Sequence, residues 1–464
     1  MTFESIQSEL KKHGQEHLLA FADQLSVEAA TRLLKQIRDI DFAQLAVLHA
    51  GKHEGPNWAE LAARAEPPTA VRLDRPHPAL SPDEARAAGE EALRAGKIAV
   101  LLVAGGQGSR LGFNLPKGLF PIGPVSGRTL FQMHADRIRA VGERYGHEIP
   151  LYIMTSPATD ADTREYFARE QRCGLSESQL HFFCQGQMPA VDAATGRVLL
   201  SANDELALSP DGHGGIVAAL ARSGCLDDAA RRGVEHFFYA QVDNPLVELC
   251  DPLLIGYHIA DHSQMTTQVV RKRFAKEKVG NVVSIGGKVQ IIEYSDLPDS
   301  AAEQLDADGG LKLWAGNIAV HLFERRFLEA VQNEAGGLPF HRAHKAVAHL
   351  NTLGELVQPK EPNAMKFERF VFDLLPLAEH ALVVEADAAK VFAPVKNADG
   401  AAVDTPAHSK QAICRLHRDW LEAAGAKVDE EVLVEIHPAW ALDAAAVLEK
   451  VQPPLHIKTD TFLM

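Results

Sequence analysis

An α/β fold built on a largely parallel sheet is what this chain predicts, and three observations carry the expectation. Ile98-Ala99-Val100-Leu101-Leu102-Val103 is a short, continuous apolar run, the pattern of a strand buried on both faces. It leads straight into a glycine-rich loop, Ala104–Gly112. Further apolar runs at Leu151–Met154, His181–Cys184 and Phe237–Val242 are separated by helical segments, which is the alternation of an α/β domain.

Each element has its own signal. Residues 1–95 read as a helical N-terminal region, because Leu25, Ala29, Leu33 and Ile37 recur at helix spacing. Breaks fall at Glu66-Pro67-Pro68 and Pro76-His77-Pro78. Ser81-Pro82-Asp83-Glu84 reads as a helix start, with a capping serine, proline in the first turn and two acids. A helix is also expected from Thr129, with Phe131, Ala135 and Ile138 on one face. Val282–Ile285 and Lys288–Ile292, joined by Gly286-Gly287, predict a β-hairpin. Residues 96–375 would form the catalytic domain, and the looser pattern of 376–464 suggests a small C-terminal domain.

Composition limits the function classes. The chain has 464 residues, 46% of them hydrophobic and 23% charged, a globular balance. Its net charge of −15 sets aside a general binder of nucleic acid or anionic membrane. The five cysteines are scattered and form no Cys-x-x-Cys pair, as expected of reduced thiols in the cytoplasm. The run Met1–Ser5 does not open a signal peptide, and no stretch approaches 18 uninterrupted apolar residues.

The glycine loop continues through Phe113-Asn114-Leu115-Pro116-Lys117-Gly118. Glycine at the end of a buried strand lets backbone N–H groups approach phosphate or base oxygens. Arg110 and Lys117 add positive charge where a triphosphate would lie. The spacing is not that of a P-loop, Gly-x-x-x-x-Gly-Lys-Ser/Thr. It also misses the dinucleotide fingerprint, since Gly112 falls one place late after Gly106-x-Gly108.

Leu102–Gly112 followed by Pro116-Lys117-Gly118 resembles the signature of the UDP-N-acetylhexosamine pyrophosphorylases, within the wider UDP-sugar pyrophosphorylase group. The resemblance continues at Gln185–Ala190, Pro210–Gly215, Val242–Asn244, Val289–Ser295, Ala315–Ala319, Lys366–Asp373 and Phe392–Asn397, in family order. It implies a sugar-phosphate nucleotidyltransferase fold, with a Rossmann-like mixed sheet flanked by helices. The implied reaction is attack of a hexosamine 1-phosphate on the α-phosphorus of UTP, giving a UDP-sugar and pyrophosphate.

Residue by residue, the resemblance places Gly105 and Gly106 at the uracil, with Gln185 and the Gly212 backbone completing base reading. Arg110, Lys117 and Lys396 would hold phosphates, Lys396 arriving from the C-terminal domain. Glu293 and Asn317 would bond sugar hydroxyls, and Phe370 and Phe372 would line the N-acetyl pocket. Asp243, at the end of a strand, would hold Mg²⁺ or Mn²⁺ against phosphate oxygens. Bland readings stand beside these: a backbone-bonded Gln185, a solvated Lys396, core phenylalanines, and Asp243 as the cap of the Asp243-Asn244-Pro245 turn.

His213 departs from the family, which usually has asparagine at this position, contacting the sugar near C2. Histidine offers one hydrogen bond and ordinarily titrates near neutral pH, so the preferred sugar stays open. His341, His344 and His349 look like a metal cluster but lack ligand spacing, and a solvated helix is expected there. Three other functions stay open on these residues: a glucose or broad-specificity UDP-sugar pyrophosphorylase, an NADP-dependent oxidoreductase with Arg110 at a 2′-phosphate, and a catalytically silent UDP-sugar-binding regulator.

Overall fold

A computed structural model describes residues 3–51, 57–333 and 337–464; Met1 and Thr2 of the N-terminal run lie outside the described residues. The chain divides into two compact units. The larger comprises Trp58–Cys184, Val217–Ala335 and Leu374–Met464, and the smaller comprises Met1–Asn57, Gln185–Ile216 and Gly336–Asp373.

The larger unit is organised by a nine-stranded sheet. In chain order its strands are β1 (Ile98–Val103), β2 (Leu151–Thr155), β3 (Leu180–Cys184), β4 (His236–Gln241), β5 (Met265–Arg271), β6 (Gly280–Ile285), β7 (Lys288–Ile292), β8 (Ala315–Glu324) and β9 (Ala381–Ala386). β1 lies between β2 and β4, parallel to both, with Leu101 opposite Tyr152 on one side and Tyr239 on the other. β3 extends the parallel half beside β2. β8 turns the sheet antiparallel where it meets β4, β5 and β6. β1 is apolar throughout because both of its faces are covered, and Ile98 to Leu102 have no solvent exposure.

Local chemistry sets the elements around the sheet. Helix Pro82–Arg94 begins with a full capping box: the Ser81 side chain accepts from the Glu84 N–H, and Glu84 returns to the Ser81 N–H. It crosses helix Pro252–Ala260 through two glycines. A β-carbon on Gly89 would lie 1.9 Å from the Pro252 oxygen, and one on Gly256 would lie 1.6 Å from the Ala85 oxygen. Thr129 caps helix Leu130–Tyr145, whose Leu130, Phe131, Ala135 and Ile138 are buried. The β6–β7 hairpin turns on Gly286 and Gly287, both at positive φ, as a two-residue primed turn requires.

Two expected boundaries are corrected. Residues 58–95 belong with the sheet rather than with the first helices, and Val71 bridges Val384 of β9. The segment after 376 does not stand apart as a whole either, since β9 pairs in parallel with β5. A separate core does form further on, where Leu421, Val434, Ile436, Val447 and Ile457 pack together.

In the smaller unit, the buried faces of the first helices supply Leu10, Leu33, Ile37 and Leu45 to a core shared with Val191, Val198, Leu206 and Phe367. Gln15 clips this layer together, accepting from the Val198 N–H and donating to the Gly196 oxygen. Residues His341–Lys345 form a strand against Ala364–Glu368, not the expected helix. The histidines there follow no apolar alternation, so the strand exists through its partner rather than through a local signal.

Candidate active site

In the larger unit the expected catalytic groups leave the sheet at the same edge. β1 and β4 are parallel neighbours, with Val103 opposite Gln241, and the Val242 N–H donates to the Val103 oxygen at 3.0 Å. The glycine loop after β1 and Asp243 after β4 therefore emerge side by side at the carboxyl ends of the strands, where ligands of open α/β sheets bind.

The loop is closed upon itself. The Gly108 N–H donates to the Leu115 oxygen at 2.9 Å, and the Lys117 N–H donates to the Gly106 oxygen at 3.0 Å. Ser156 anchors its start, donating from Oγ to the Gly105 oxygen at 2.8 Å; sequence reading passed over this residue. Gly108 is required by packing, because a β-carbon there would lie 2.8 Å from the Phe113 oxygen. Gly106 is not: a β-carbon there would meet nothing within 4 Å. The open space over an exposed glycine amide suits a ligand that approaches the backbone closely. Arg110 is exposed on the short turn Ser109–Leu111 and makes no ion pair among the described residues.

Lys117 and Asp243 meet directly, Nζ donating to Oδ2 at 3.1 Å, both half-buried or more. It is Asn244, not Asp243, whose side chain organises the turn. Asn244 Oδ1 accepts from the Leu246 and Ala393 N–H groups, and its Nδ2 donates to the Val391 oxygen. These bonds, with the Val395 N–H donating to the Asp243 oxygen at 2.8 Å, bring Lys396 beside the carboxyl end of β4. Lys396 thus belongs to the same compact unit as the glycine loop, a correction to its expected arrival from a separate domain.

Asp404 is a neighbour that the sequence did not single out. Its carbonyl accepts from both the Lys396 and Asn397 N–H groups, at 2.8 and 2.9 Å, and its φ is +58°. Burial raises its carboxyl pKa, and the positive charges of Lys396 and Arg273 oppose that shift. The helix start Thr405-Pro406 just after it is its trace in the sequence.

Glu293 and Asn317 flank Gly280. A β-carbon on that glycine would lie 3.2 Å from Glu293 Oε1 and 3.6 Å from the Asn317 β-carbon. Asn317 sits at a bulge in β8, where the register against β5 shifts and Ala319 takes a φ of +56°. Its Oδ1 accepts from the Ala319 N–H at 3.0 Å, which fixes the orientation of the side-chain amide. A bulge beside a site re-aims a side chain in this way.

The smaller unit holds the remaining candidates. Gln185 is buried, directly after β3. Gly212 is obligatory: its φ is +84°, and a β-carbon would lie 2.3 Å from the Arg369 oxygen. His213, Phe370 and Phe372 form one aromatic group. The two phenylalanine rings stack 5.0 Å apart, and the His213 ring lies 5.3 and 5.8 Å from them. His213 Nδ1 accepts from the Val371 N–H at 3.1 Å. Burial pushes its pKa down to about 4, with His341 adding to the effect, so it does not titrate near neutral pH as an ordinary histidine would. His341 packs against Phe370 at 4.5 Å and pairs with Asp373 at 2.8 Å. Among the described residues no group of three or more His, Cys, Asp or Glu side chains could hold a metal ion.

The sequence model of the UTP–glucose-1-phosphate uridylyltransferase family matches residues 59–423. The chain belongs to this family. Among curated relatives, the human UDP-N-acetylhexosamine pyrophosphorylase-like protein 1 is 36% identical over 467 residues, covering 97% of this chain and 90% of the relative. The UDP-N-acetylglucosamine pyrophosphorylase of Saccharomyces cerevisiae is 39% identical over 75% of this chain and 74% of its own. Among solved structures, the UDP-N-acetylglucosamine pyrophosphorylase of Trypanosoma brucei aligns with a TM-score of 0.80 at 26% identity, over 99% of this chain and 97% of that one. A UDP-glucose pyrophosphorylase from Leishmania major shares the fold, at a TM-score of 0.64 and 18% identity over 92% of this chain and 88% of that one. As a member of the uridylyltransferase family the chain is a nucleotidyltransferase that forms a UDP-sugar, and the oxidoreductase alternative falls away.

Proposed function

We propose that this uridylyltransferase takes an N-acetylhexosamine 1-phosphate, N-acetylglucosamine 1-phosphate in the first place, as the partner of UTP. The observation that carries the sugar assignment is the aromatic group His213, Phe370 and Phe372, an apolar surface of the kind an acetamido methyl packs against.

Uridylyl transfer asks little covalent chemistry of the protein. An oxygen of the sugar phosphate attacks the α-phosphorus of UTP in line with the departing pyrophosphate, and catalysis consists of positioning and charge neutralisation. Arg110 and Lys117 are the cations assigned to the UTP phosphates and the leaving pyrophosphate, and Lys396 to phosphate shared by substrate and product. Gly105 and Gly106 read the uracil by their amides, with Gln185 and Gly212 carried over as further base readers. Glu293 and Asn317 bond sugar hydroxyls. The exposed guanidinium of Arg110, without an ion pair among the described residues, and the open face of Gly106 support this assignment.

The donor set at Asp243 fits Mg²⁺ or Mn²⁺. Such ions usually take one or two carboxylates and complete their shell with phosphate oxygens and water. Asp243 offers one carboxylate at the phosphate-side edge, and Lys117 neutralises it otherwise. The metal, when bound, would supply further neutralisation of phosphate charge. A cytoplasmic setting is supported by five free cysteines, four of them buried, and no helix among the described residues is long and apolar enough to cross a membrane.

The test is pyrophosphate release from UTP with each of N-acetylglucosamine, N-acetylgalactosamine and glucose 1-phosphate. The highest kcat/KM is expected with N-acetylglucosamine 1-phosphate. Equal or better turnover of glucose 1-phosphate would sink the N-acetylhexosamine reading and leave the uridylyl chemistry intact.

A further inference from the structure

Gly106 is held from both sides, while its own N–H is left over. The peptide behind it is fixed by Ser156, whose Oγ donates to the Gly105 oxygen at 2.8 Å. The peptide ahead of it is fixed by the Lys117 N–H, which donates to the Gly106 oxygen at 3.0 Å. In a trans peptide the C=O and the following N–H point in opposite directions. Ser156 is buried and Gly106 is exposed, so the bond on the Gly105 oxygen turns the Gly106 N–H outward. That N–H has no hydrogen-bond partner among the described residues. Ser156 is set in turn by Thr159, and both residues are at most 1% exposed. A carbonyl oxygen only accepts, so the Ser156 hydroxyl directs its proton to Gly105. The Thr159 hydroxyl, 3.0 Å from Ser156 Oγ and 3.3 Å from the Ser156 oxygen, is then the donor in either contact. The Ser156 N–H closes the pair, donating to Thr159 Oγ1 at 3.0 Å.

We propose that Ser156 is a positioning residue for nucleotide binding, whose hydroxyl aims the Gly106 N–H at a carbonyl oxygen of the uracil. This inference rests on the reading of Gly105 and Gly106 as uracil contacts and adds the group that fixes their direction. A peptide between two glycines rotates more freely than any other. Without Ser156 its N–H would have to be ordered at each binding event, which weakens binding. The effect belongs to the base alone. Pyrophosphate carries no base and is assigned to Arg110 and Lys117 instead. An anchor that merely stiffened the loop would affect both ligands, because Arg110 sits on the same loop.

The test runs the reaction in reverse, where one substrate has a base and the other does not. Pyrophosphate is supplied with the UDP-sugar of highest turnover, UDP-N-acetylglucosamine in the first place. Ser156→Ala is expected to raise KM for the UDP-sugar by roughly tenfold, the worth of one well-placed hydrogen bond. KM for pyrophosphate and kcat should stay unchanged, the pattern of lost uniform binding. Thr159→Ala loosens the Ser156 hydroxyl without removing it. It should move the same KM in the same direction by less, and it serves where Ser156→Ala does not fold. An unchanged UDP-sugar KM in these variants, or an equal rise in both KM values, overturns the inference. Gly106→Ala separates this from the underlying reading, since it puts a methyl group into the open space beside the N–H. If Gly106→Ala raises KM for the UDP-sugar and Ser156→Ala does not, only the role of Ser156 fails. If neither variant raises it, the uracil reading of the loop fails as well.

Discussion

Lys117 pairs with Asp243 when no phosphate is at hand, while Arg110 makes no ion pair among the described residues. The two cations therefore differ in what a substitution does. Removing Lys117 takes away a phosphate ligand and also leaves the largely buried Asp243 carboxylate without its partner. Lys117→Ala and Lys396→Ala are each expected to lower kcat by about 100-fold or more, in the range found for single groups that stabilise developing charge. Both should remain folded, judged by circular dichroism and thermal melting, with Lys117→Ala melting lower than Lys396→Ala. Near-normal rates in either variant contradict its role. Asp404 shows what residue-level reading misses. Its link to Lys396 runs through backbone bonds, and no side-chain motif announces such a bond.

At the scale of elements, the close crossing of helices Pro82–Arg94 and Pro252–Ala260 depends on the absence of two β-carbons. Glycine inside a helix costs roughly 1 kcal/mol relative to alanine, so an exposed Gly→Ala change would stabilise. Here the sign reverses, because a methyl group would overlap backbone that cannot yield cheaply. Gly256→Ala is expected to lower stability by about 1–3 kcal/mol in urea titration, and a stabilised Gly256→Ala would show that the helices separate freely. The β8 bulge is the second feature of this kind. Ala319 is held at positive φ, and Asn317 Oδ1 accepts from its N–H, which orients the Asn317 side chain at the position beside Gly280. The sequence Ala315–Ala319 carries no sign of this, since a bulge is decided by the strands on either side.

For the molecule as a whole, acid should be the weak side. His134, His258 and His417 are buried, and burial holds the pKa of His134 and His417 at about 4 and that of His258 well below the usual value. Depressed folded values mean that the unfolded chain takes up protons first as pH falls below about 6.5. The stability these neutral histidines permit is fully present above that pH and is lost on the way to pH 4, at roughly 1.4 kcal/mol per pH unit for each group within the window. Melting temperature should be flat from pH 8 to 7 and fall steeply between 6.5 and 4.5. His134→Gln should fall less steeply; an unchanged slope would mean that His134 charges without penalty.

What the sequence determined by itself is the chemistry. The run Ile98–Val103, the loop Gly105–Lys117 and the motifs that follow in order were enough for the fold class and the uridylyltransferase family, because strand burial, glycine loops and capping boxes act over a few residues. What only the tertiary structure decided is grouping and polarity. It drew residues 1–57, 185–216 and 336–373 into one unit, placed Lys396 beside the carboxyl end of β4, and turned His341–Lys345 into a strand. It also set the proton of His213 on Nε2, through a backbone N–H that lies 158 positions along the chain. Contacts between distant segments depend on how many elements pack at once, and no local pattern of residues encodes that sum.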